Sequence, residues 1–459
     1  MKSHKKSNST ITTLMITLFI CIISSANSHA TSDLEKISTI VNHKFYQENL
    51  GVGVAIAIID GDKTEFLNIG VADQVSNQAV TSATLFEIGS ITKTFTATAL
   101  ASMAIEEKIN LSDPIAPYLK SSVSLSESND KPITFLSLAN HSSGLPRLPN
   151  NMPFSDPLDP YADYSIEMMY QFLNNYTPTR GVGEQAEYSN LGAGLLGHLL
   201  SLIDNKSYQS MLNERVLKPL NMSNTFIDVP LQRLKELSDG HNEQLNKTKH
   251  WQLPALAGAG AIKSNTIDMV KYLHANMTKE LLSEQFTLTQ TATSPFGSPN
   301  TKIGLSWIIN NGKSNSFYMH NGGTGGFRSF IGFDPKQQKG IVILANSVFD
   351  MDDIGYAYLT NTLDKIVLNK PVSVDEKQLA KLNGKFELVP NFVLTVTHEK
   401  DQLFVQATGQ PKLSLKAVSA TEFINQAVKA RVVFEINNQG EAQSLTLFQG
   451  GQTLPGKKL

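Results

Sequence analysis

Residues 85–105 read LFEIGSITKTFTATALASMAI, a short strand-like segment followed by a long run that is small or apolar almost throughout. The run over residues 92–105 predicts a helix that is buried rather than amphipathic. It begins within the tetrad Ser-Ile-Thr-Lys of residues 90–93. Residues three apart lie on the same face of a helix, so the Ser90 hydroxyl and the Lys93 amine are expected to be neighbours.

The Ser90–Lys93 pair has a chemical interpretation and a purely structural one. A serine hydroxyl is a poor nucleophile until a base removes its proton. Desolvation disfavours a charged ammonium, so an apolar helix would make Lys93 a better base. A Ser-x-x-Lys tetrad on its own is nevertheless a weak signal, because most such tetrads lie on solvated helix surfaces.

A second motif, Tyr188-Ser189-Asn190, stands directly before a helical pattern at residues 191–203. A tyrosine beside a lysine ammonium loses its proton more easily, and it can then carry protons between a serine and a leaving group. The Asn190 side chain could hydrogen-bond an amide carbonyl of a substrate. Taken singly, the motif is also compatible with an ordinary turn.

A third motif, His320-Asn321-Gly322-Gly323, ends a strand-like segment. Glycines let a substrate backbone approach a strand closely. A backbone N–H here, together with that of Ser90, could form an oxyanion hole. The alternative interpretation is a glycine-rich turn between two strands.

The remaining pattern predicts the fold class. Strands are predicted at residues 51–60, 64–71, 303–309, 317–320, 327–333 and 340–346, and helices at 33–48 and 353–368. Strands at both ends with a helical block between them predict an α/β (α+β) unit, an antiparallel sheet flanked by helices and joined to a mostly helical lobe. After Pro371 the pattern changes to short strands with turn signals between them, at residues 384–388, 392–398, 402–407, 413–417, 431–436 and 444–448. These predict a small all-β barrel or sandwich of about 80 residues.

The three motifs, in this order, resemble those of the family of class C β-lactamases, D-alanyl peptidases and related esterases. Two further stretches are similar to signatures of that family, LANHSSGLP at residues 138–146 and AGAGAIKS at residues 257–264. The resemblance covers roughly residues 33–368. It implies a β-lactamase-like serine hydrolase domain at residues 31–370, and the region 376–459 resembles the small lipocalin-like barrels appended to some members.

The resemblance implies a role for each motif residue. Ser90 would be the acylated nucleophile, while Lys93 and Tyr188 would transfer protons. The substrate groove would be lined by Asn190, His320 and Gly322, and the N–H groups of Ser90 and Gly323 would hold the oxyanion. The implied reaction is hydrolysis of a β-lactam, or of a D-alanyl peptide of peptidoglycan, through an acyl-serine intermediate. A carboxylesterase and a slow-turnover penicillin-binding sensor are the alternatives.

Two residues depart from the family pattern. Thr92 stands where class C β-lactamases have Ser or Ala. His320 replaces the lysine of Lys-Thr-Gly, so the permanent cation that anchors a substrate carboxylate becomes a side chain with an unperturbed pKa near 6.5. The attraction of His320 for a substrate carboxylate would then grow as the pH falls. Arg328, on the next predicted strand, would supply the missing charge if it points into the groove.

The N-terminus has the layout of a cleaved signal peptide, predicted for residues 1–30. Lysines at positions 2, 5 and 6 precede an apolar run at residues 11–23, and small residues end at Ala30. The run is shorter than the ~20 apolar residues that a membrane span needs. Cleavage would leave a periplasmic or secreted chain with no stable membrane span. It would also remove Cys21, the only cysteine.

Composition and missing motifs exclude other classes of function. A formal net charge of −2 gives no electrostatic case for binding nucleic acid. The ten histidines form no compact metal-ligand motif, and neither a phosphate-binding loop nor a Gly-x-Ser-x-Gly elbow is found. We therefore expect no metal and no cofactor. We also expect a monomer. His141 is interpreted as stabilising its loop, and Trp251 and Trp307 as packing residues.

Overall fold

The computed structural model describes residues 32–126, 131–312, 316–368, 372–425, 428, 430–449 and 452–459. The predicted signal peptide and Cys21 lie outside these residues. Within them, every helix is too short or too polar to cross a membrane.

Two sheets and a set of helices occupy the part of the chain before residue 369. The strands are β1 (Gly53–Asp60), β2 (Lys63–Asp73), β3 (Gln78–Ala79), β4 (Phe86–Glu87), β5 (Lys263–Ser264), β6 (Ser294–Phe296), β7 (Ser298–Ile303), β8 (Ile308–Asn311), β9 (Ser316–Gly323), β10 (Arg328–Asp334) and β11 (Lys339–Ala345). The helices are α1 (Asp33–Asn42), α2 (Thr92–Ile105), α3 (Phe135–Ala139), α4 (Ile166–Asn175), α5 (Asn190–Asp204), α6 (Tyr208–Leu212), α7 (Ala257–Gly260), α8 (Thr266–Thr278), α9 (Ser283–Gln290) and α10 (Asp352–Leu359).

Nine of these strands form one antiparallel sheet in the order β3-β2-β1-β11-β10-β9-β8-β7-β6, while β4 pairs with β5. The side chains of β1 alternate between two cores, because successive residues of a strand face opposite sides of the sheet. Ala55 and Ala57 face the core that contains α2 and α8. Val54 and Ile56 face the core that contains α1 and α10. Helices therefore flank the sheet on both faces, which confirms the predicted fold class.

Helix α2 runs through the centre of the helical lobe. Its residues Thr92–Met103 are all buried, as the run of small and apolar side chains predicts. Small residues of α7 pack against it, and a Cβ on Gly258 would come within 2.8 Å of the Gly197 Cα of α5. This close packing brings the first turn of α2 beside the starts of α5 and α7.

Three predicted elements were wrong in their extent. The helix predicted at residues 353–368 ends at Leu359, because Asn361 adopts a left-handed backbone conformation with φ of +55°. The strand predicted at residues 303–309 is broken by a tight connection at Ser306, whose φ is +64°. Ile303 and Ile308 consequently pair across a hairpin between β7 and β8. The helix predicted at residues 33–48 is α-helical to Asn42 and continues as a π-helical segment, His43–Gln47.

The C-terminal region is a closed eight-stranded barrel preceded by helix α11 (Glu376–Leu382). Its strands are β12 (Gly384–Val389), β13 (Phe392–Glu399), β14 (Gln402–Ala407), β15 (Lys412–Ala417), β16 (Glu422–Asn425), β17 (Ala430–Ile436), β18 (Ala442–Gln449) and β19 (Gln452–Lys458). The sequence pattern predicts six of them and misses β16 and β19. Strand β16 has only four residues, and β19 contains Pro455 and Gly456, which argue against a strand.

Candidate active site

Ser90 lies at a sharp turn between β4 and α2. Gly89 adopts a left-handed conformation with φ of +49°, and the 3-10 turn Gly89–Ile91 leads directly into the helix. A Cβ at Gly89 would stand 2.6 Å from the Gly323 nitrogen, so only glycine fits there. The turn thus presses the half-buried Ser90 against the end of β9.

Lys93 is completely buried and points back toward Ser90. Its Nζ lies 3.1 Å from Ser90 Oγ, 2.9 Å from Asn190 Oδ1 and 2.7 Å from the Ala259 carbonyl oxygen. The starts of α2, α5 and α7 each supply one part of this arrangement. Of the three partners, the amide and carbonyl oxygens can only accept a hydrogen bond, whereas the hydroxyl can also donate one.

Burial lowers the pKa of the Lys93 amine well below its ordinary value, and the charge of Arg147 lowers it further. A neutral amine has two N–H donors and one lone pair. In that form the Asn190 and Ala259 oxygens would accept its two N–H groups, and the lone pair would be left for the Ser90 hydroxyl. The arrangement would therefore allow a neutral Lys93 to accept the proton of Ser90.

Tyr188 stands across the site from Ser90. The Lys93 Nζ lies 4.8 Å from the centre of its ring. Desolvation raises the pKa of the Tyr188 phenol above its ordinary value, and a hydrogen bond with Ser90 and the charge of Arg147 only partly oppose this. The expectation that Tyr188 would lose its proton more easily is wrong, because desolvation dominates and raises its pKa. Tyr188 is a neutral phenol here.

The end of β9 packs directly on the Ser90 turn. A Cβ on Gly322 would lie 2.1 Å from the Ile88 carbonyl oxygen and 3.0 Å from the Ser90 nitrogen. From β10, Ser329 Oγ donates to the same Ile88 oxygen at 2.8 Å. The glycines at the end of β9 thus let the Gly323 backbone and the Ser90 backbone come together.

The position and the pKa of His320 differ from what the sequence suggests. It is 1% exposed and lies beneath the groove, whose wall on β9 is formed by Asn321, Gly322 and Gly323. Burial, more than any other cause, lowers the pKa of His320 to about 3. Its Nδ1 donates to the Asn321 carbonyl oxygen at 2.6 Å. The expected titration near pH 6.5 is therefore wrong, because the imidazole is desolvated and neutral.

A groove of about 510 Å³ opens above Ser90, Tyr188 and Asn190. Sequence reasoning missed several of its side chains, namely Arg147, Tyr161, Asp350 and Asp352. It also interpreted Trp251 as a packing residue, whereas the structure places that side chain in the groove wall. Trp307, in contrast, is fully buried and packs edge-on against Phe333.

Arg147 was the residue most open to prediction, since it directly follows the LANHSSGLP stretch. Its carbonyl oxygen accepts from the Asn190 nitrogen at 3.0 Å, which ties this loop to the start of α5. Its guanidinium is exposed and lies 5.1 Å from the centre of the Tyr188 ring. In the part of the chain that the structure describes, no carboxylate forms an ion pair with it.

Arg328 does point toward the groove, but its setting differs from that of Arg147. Its guanidinium donates to the carbonyl oxygens of Thr324 and Phe327 at 3.1 and 3.0 Å. Burial lowers the pKa of Arg328, and the carboxylates of Asp350 and Asp352 oppose that shift. The positive charge of Arg328 is thus partly balanced by these two nearby carboxylates.

His141 lies behind Tyr188, with its ring centre 4.6 Å from that of the tyrosine. Its Nδ1 accepts from the Ser189 nitrogen at 3.3 Å, and burial lowers its pKa well below the ordinary value. These contacts agree with a loop-stabilising role. Among the described residues, no cluster of three or more His, Cys, Asp or Glu side chains could hold a metal ion.

Comparisons of the sequence with known proteins give matches over most of the chain. The Beta-lactamase family profile matches residues 43–362, and a domain of unknown function, DUF3471, matches residues 368–458. A β-lactamase of Pseudomonas fluorescens is 27% identical over 350 residues, which cover 69% of this chain and 94% of that protein. A β-lactamase of Escherichia coli strain K12 is 30% identical over 329 residues, covering 64% and 84%.

Solved structures show the same fold. A class C β-lactamase superposes with a TM-score of 0.63 at 24% identity, over 73% of this chain and 98% of its own. A β-lactamase/D-alanine carboxypeptidase from Pseudomonas syringae gives a TM-score of 0.63 at 22% identity, over 72% and 98%. The chain belongs to the Beta-lactamase family and is a serine hydrolase.

Proposed function

We propose that this protein hydrolyses β-lactams or D-alanyl peptides through an acyl-Ser90 intermediate. The observation that carries the proposal is the hydrogen bonding of Lys93. A neutral Lys93 would donate its two N–H groups to the Asn190 and Ala259 oxygens, which can only accept, and its lone pair would then face the Ser90 hydroxyl 3.1 Å away. The names of the two curated relatives, both β-lactamases, favour this substrate class.

In the acylation step, Ser90 Oγ attacks the carbonyl carbon of the substrate, and its proton passes to the neutral Lys93 amine. The tetrahedral intermediate carries its negative charge on the former carbonyl oxygen, which the N–H groups of Ser90 and Gly323 would hold. The bond from carbon to the leaving nitrogen then breaks. Tyr188 protonates that nitrogen and recovers a proton from Lys93, so no net charge stays behind.

In the deacylation step, water attacks the carbonyl carbon of the acyl-serine. A proton of the water passes to the base formed by Lys93 and Tyr188. The Ser90 oxygen then leaves and is reprotonated. Asn190 has a positioning role in both steps. Its Oδ1 is occupied by Lys93, which leaves its amide N–H groups for a carbonyl of the substrate.

Recognition of a substrate carboxylate falls to Arg147 in this proposal. The neutral, buried His320 supplies no charge. Arg328 already donates to two carbonyl oxygens and has two aspartates nearby. The exposed Arg147 guanidinium, next to Tyr188, is the groove cation best placed to pair with a carboxylate.

Because His320 is neutral and buried, a second candidate function is a carboxylesterase with the same catalytic residues. An ester needs no cation at the end of β9, and Asp350 and Asp352 in the groove would repel an anionic substrate from that side. A penicillin-binding sensor would share the acylation step and lack rapid deacylation.

We propose further that the chain is exported and that residues 1–30 act as the signal peptide. Residues 31–370 would then form the hydrolase domain and residues 376–459 the barrel domain. The basic and apolar pattern of the N-terminus supports export. The change to short strands after Pro371 supports the domain boundary.

Intact-mass spectrometry tests the substrate class. The mature protein is exposed separately to a penicillin, a D-Ala-D-Ala peptide and a short-chain aryl ester, and quenched at intervals. An adduct from the penicillin or the peptide that decays over time supports the proposal. An adduct from the ester alone would favour the carboxylesterase, and a persistent penicillin adduct would favour the sensor.

A further inference from the structure

A second cavity, of about 440 Å³, lies where the barrel meets the hydrolase part of the chain. We call it the seam cavity. It shares no lining residue with the groove above Ser90. One side is formed by residues 47–49, which follow α1, and by residues 372–374, which precede α11. The other side is formed by α11 and by β14, β15 and β16 of the barrel.

Apolar side chains line part of the seam cavity. Val372 is exposed there, and Val418 and Ile424 are partly exposed. Ile424 pairs directly with Lys416 across β15 and β16, so these two side chains lie on the same face of the sheet. Such a surface favours the burial of a hydrocarbon group. The cavity volume falls in the range of about 300–1,000 Å³ that is usual for small-molecule sites.

One cation, Lys416, lies beside these apolar side chains. On β15 the side chains alternate, so Leu415 points into the barrel core and Lys416 points to the seam. The Lys416 Nζ is buried, and among the described residues it has no hydrogen-bond partner. A buried amine without an acceptor destabilises the protein, because its lost hydration is not replaced. Burial also lowers the pKa of Lys416 to about 8, against the charge of Glu48.

The carboxylates around the seam cavity do not satisfy this amine. Glu48 lies in the wall, but its Oε1 pairs with His43 Nε2 at 3.3 Å. Asp401 is exposed at the turn between β13 and β14. Their negative charges disfavour a dianion such as phosphate, whereas a monoanion adds only one charge next to Lys416.

We propose that the seam cavity binds a monocarboxylate that carries a medium-length hydrocarbon chain. The carboxylate pairs with Lys416 and supplies the acceptor that its Nζ lacks. The hydrocarbon chain lies along Val372, Val418 and Ile424. This site is separate from the catalytic groove and does not depend on the reaction proposed for Ser90.

Calorimetric titration of the mature full-length protein with octanoate tests this inference. Saturable one-to-one binding is expected, and Lys416→Met should weaken it at least tenfold. Lys416→Arg, which keeps the charge, should retain most of the affinity. Lys385→Met, which removes an exposed lysine on β12, is the matched control and should bind as the parent does.

Two further titrations distinguish binding at Lys416 from binding elsewhere on the protein. Octanamide, which has the same chain without the charge, should bind more weakly and should be indifferent to Lys416→Met. Arg147→Met should leave octanoate binding unchanged. The inference would be overturned by the absence of octanoate binding, by equal affinity in the parent and Lys416→Met, or by loss of binding in Arg147→Met instead. Circular dichroism of each variant confirms that the fold is kept.

Discussion

The Lys93 Nζ lies 3.1 Å from the Ser90 Oγ, at the first turn of a helix whose residues Thr92–Met103 are all buried. The pair is local in sequence, but its chemistry depends on distant residues. Asn190 Oδ1 and the Ala259 carbonyl oxygen accept hydrogen bonds from the amine. The buried setting lowers its pKa. In the proposed mechanism the base therefore depends on the packing of three helix starts.

The pH dependence of acylation should report this lowered pKa. Lys93 acts as a base only when deprotonated, so the acylation rate should rise with pH and level off once the pH exceeds its lowered pKa. Stopped-flow acylation by an aryl ester should therefore be nearly flat at moderately alkaline pH, with Ser90→Ala as the background control. An amine with an ordinary pKa near 10.4 would instead give a rise of about tenfold per pH unit from pH 7 to pH 9.

Tyr188→Phe should slow acylation by roughly 10²-fold or more, the range that general acid–base groups usually supply. The reason is that only the proton-carrying hydroxyl beside Ser90 is lost. Tyr161→Phe is a matched control, because Tyr161 also lines the groove and its ring contacts Trp251. Single-turnover rates for both variants provide the comparison. Equal effects of the two substitutions would remove Tyr188 from the mechanism.

Arg147→Met should lower kcat/KM for a penicillin or a D-alanyl peptide by about 10–100-fold relative to an uncharged ester. This corresponds to the ~1.5–3 kcal/mol of a hydrogen bond to a charged group. The ratio of the two kcat/KM values is the quantity to measure, because it cancels the indirect effect of Arg147 on Lys93. An unchanged ratio would show that another group, such as Arg328, binds the carboxylate.

The same ratio should not depend on His320 between pH 5 and pH 8. With its pKa lowered to about 3, His320 stays neutral throughout this window. It becomes protonated only when the pH falls toward that value. Parallel pH profiles for the carboxylate-bearing and uncharged substrates are therefore expected. A relative gain for the carboxylate-bearing substrate as the pH falls from 8 to 6 would mean that His320 titrates near its unperturbed value.

The sequence predicts features that depend on contacts between neighbouring residues, and it does not predict features that depend on packing by distant parts of the chain. The Ser90–Lys93 contact and the buried α2 depend on spacing within one helix, so both were accessible. The charge state of His320 depends on burial by other elements, and no pattern near residue 320 encodes it. Asp350 and Asp352 reach the groove only because α10 packs beside β10. Strand β19 was missed because pairing with β12 and β18, rather than its own composition, makes it a strand.

The most direct test of the central claim is labelling by an aryl phosphonate, followed by peptide mapping with mass spectrometry. This reagent reports an activated serine whichever substrate the protein prefers. One adduct per chain is predicted, on the peptide that contains Ser90. Ser90→Ala should abolish it, and Thr324→Val, which removes another hydroxyl from the groove wall, should keep it. An adduct on a different residue, or undiminished labelling of Ser90→Ala, would contradict the assignment of Ser90 as the nucleophile.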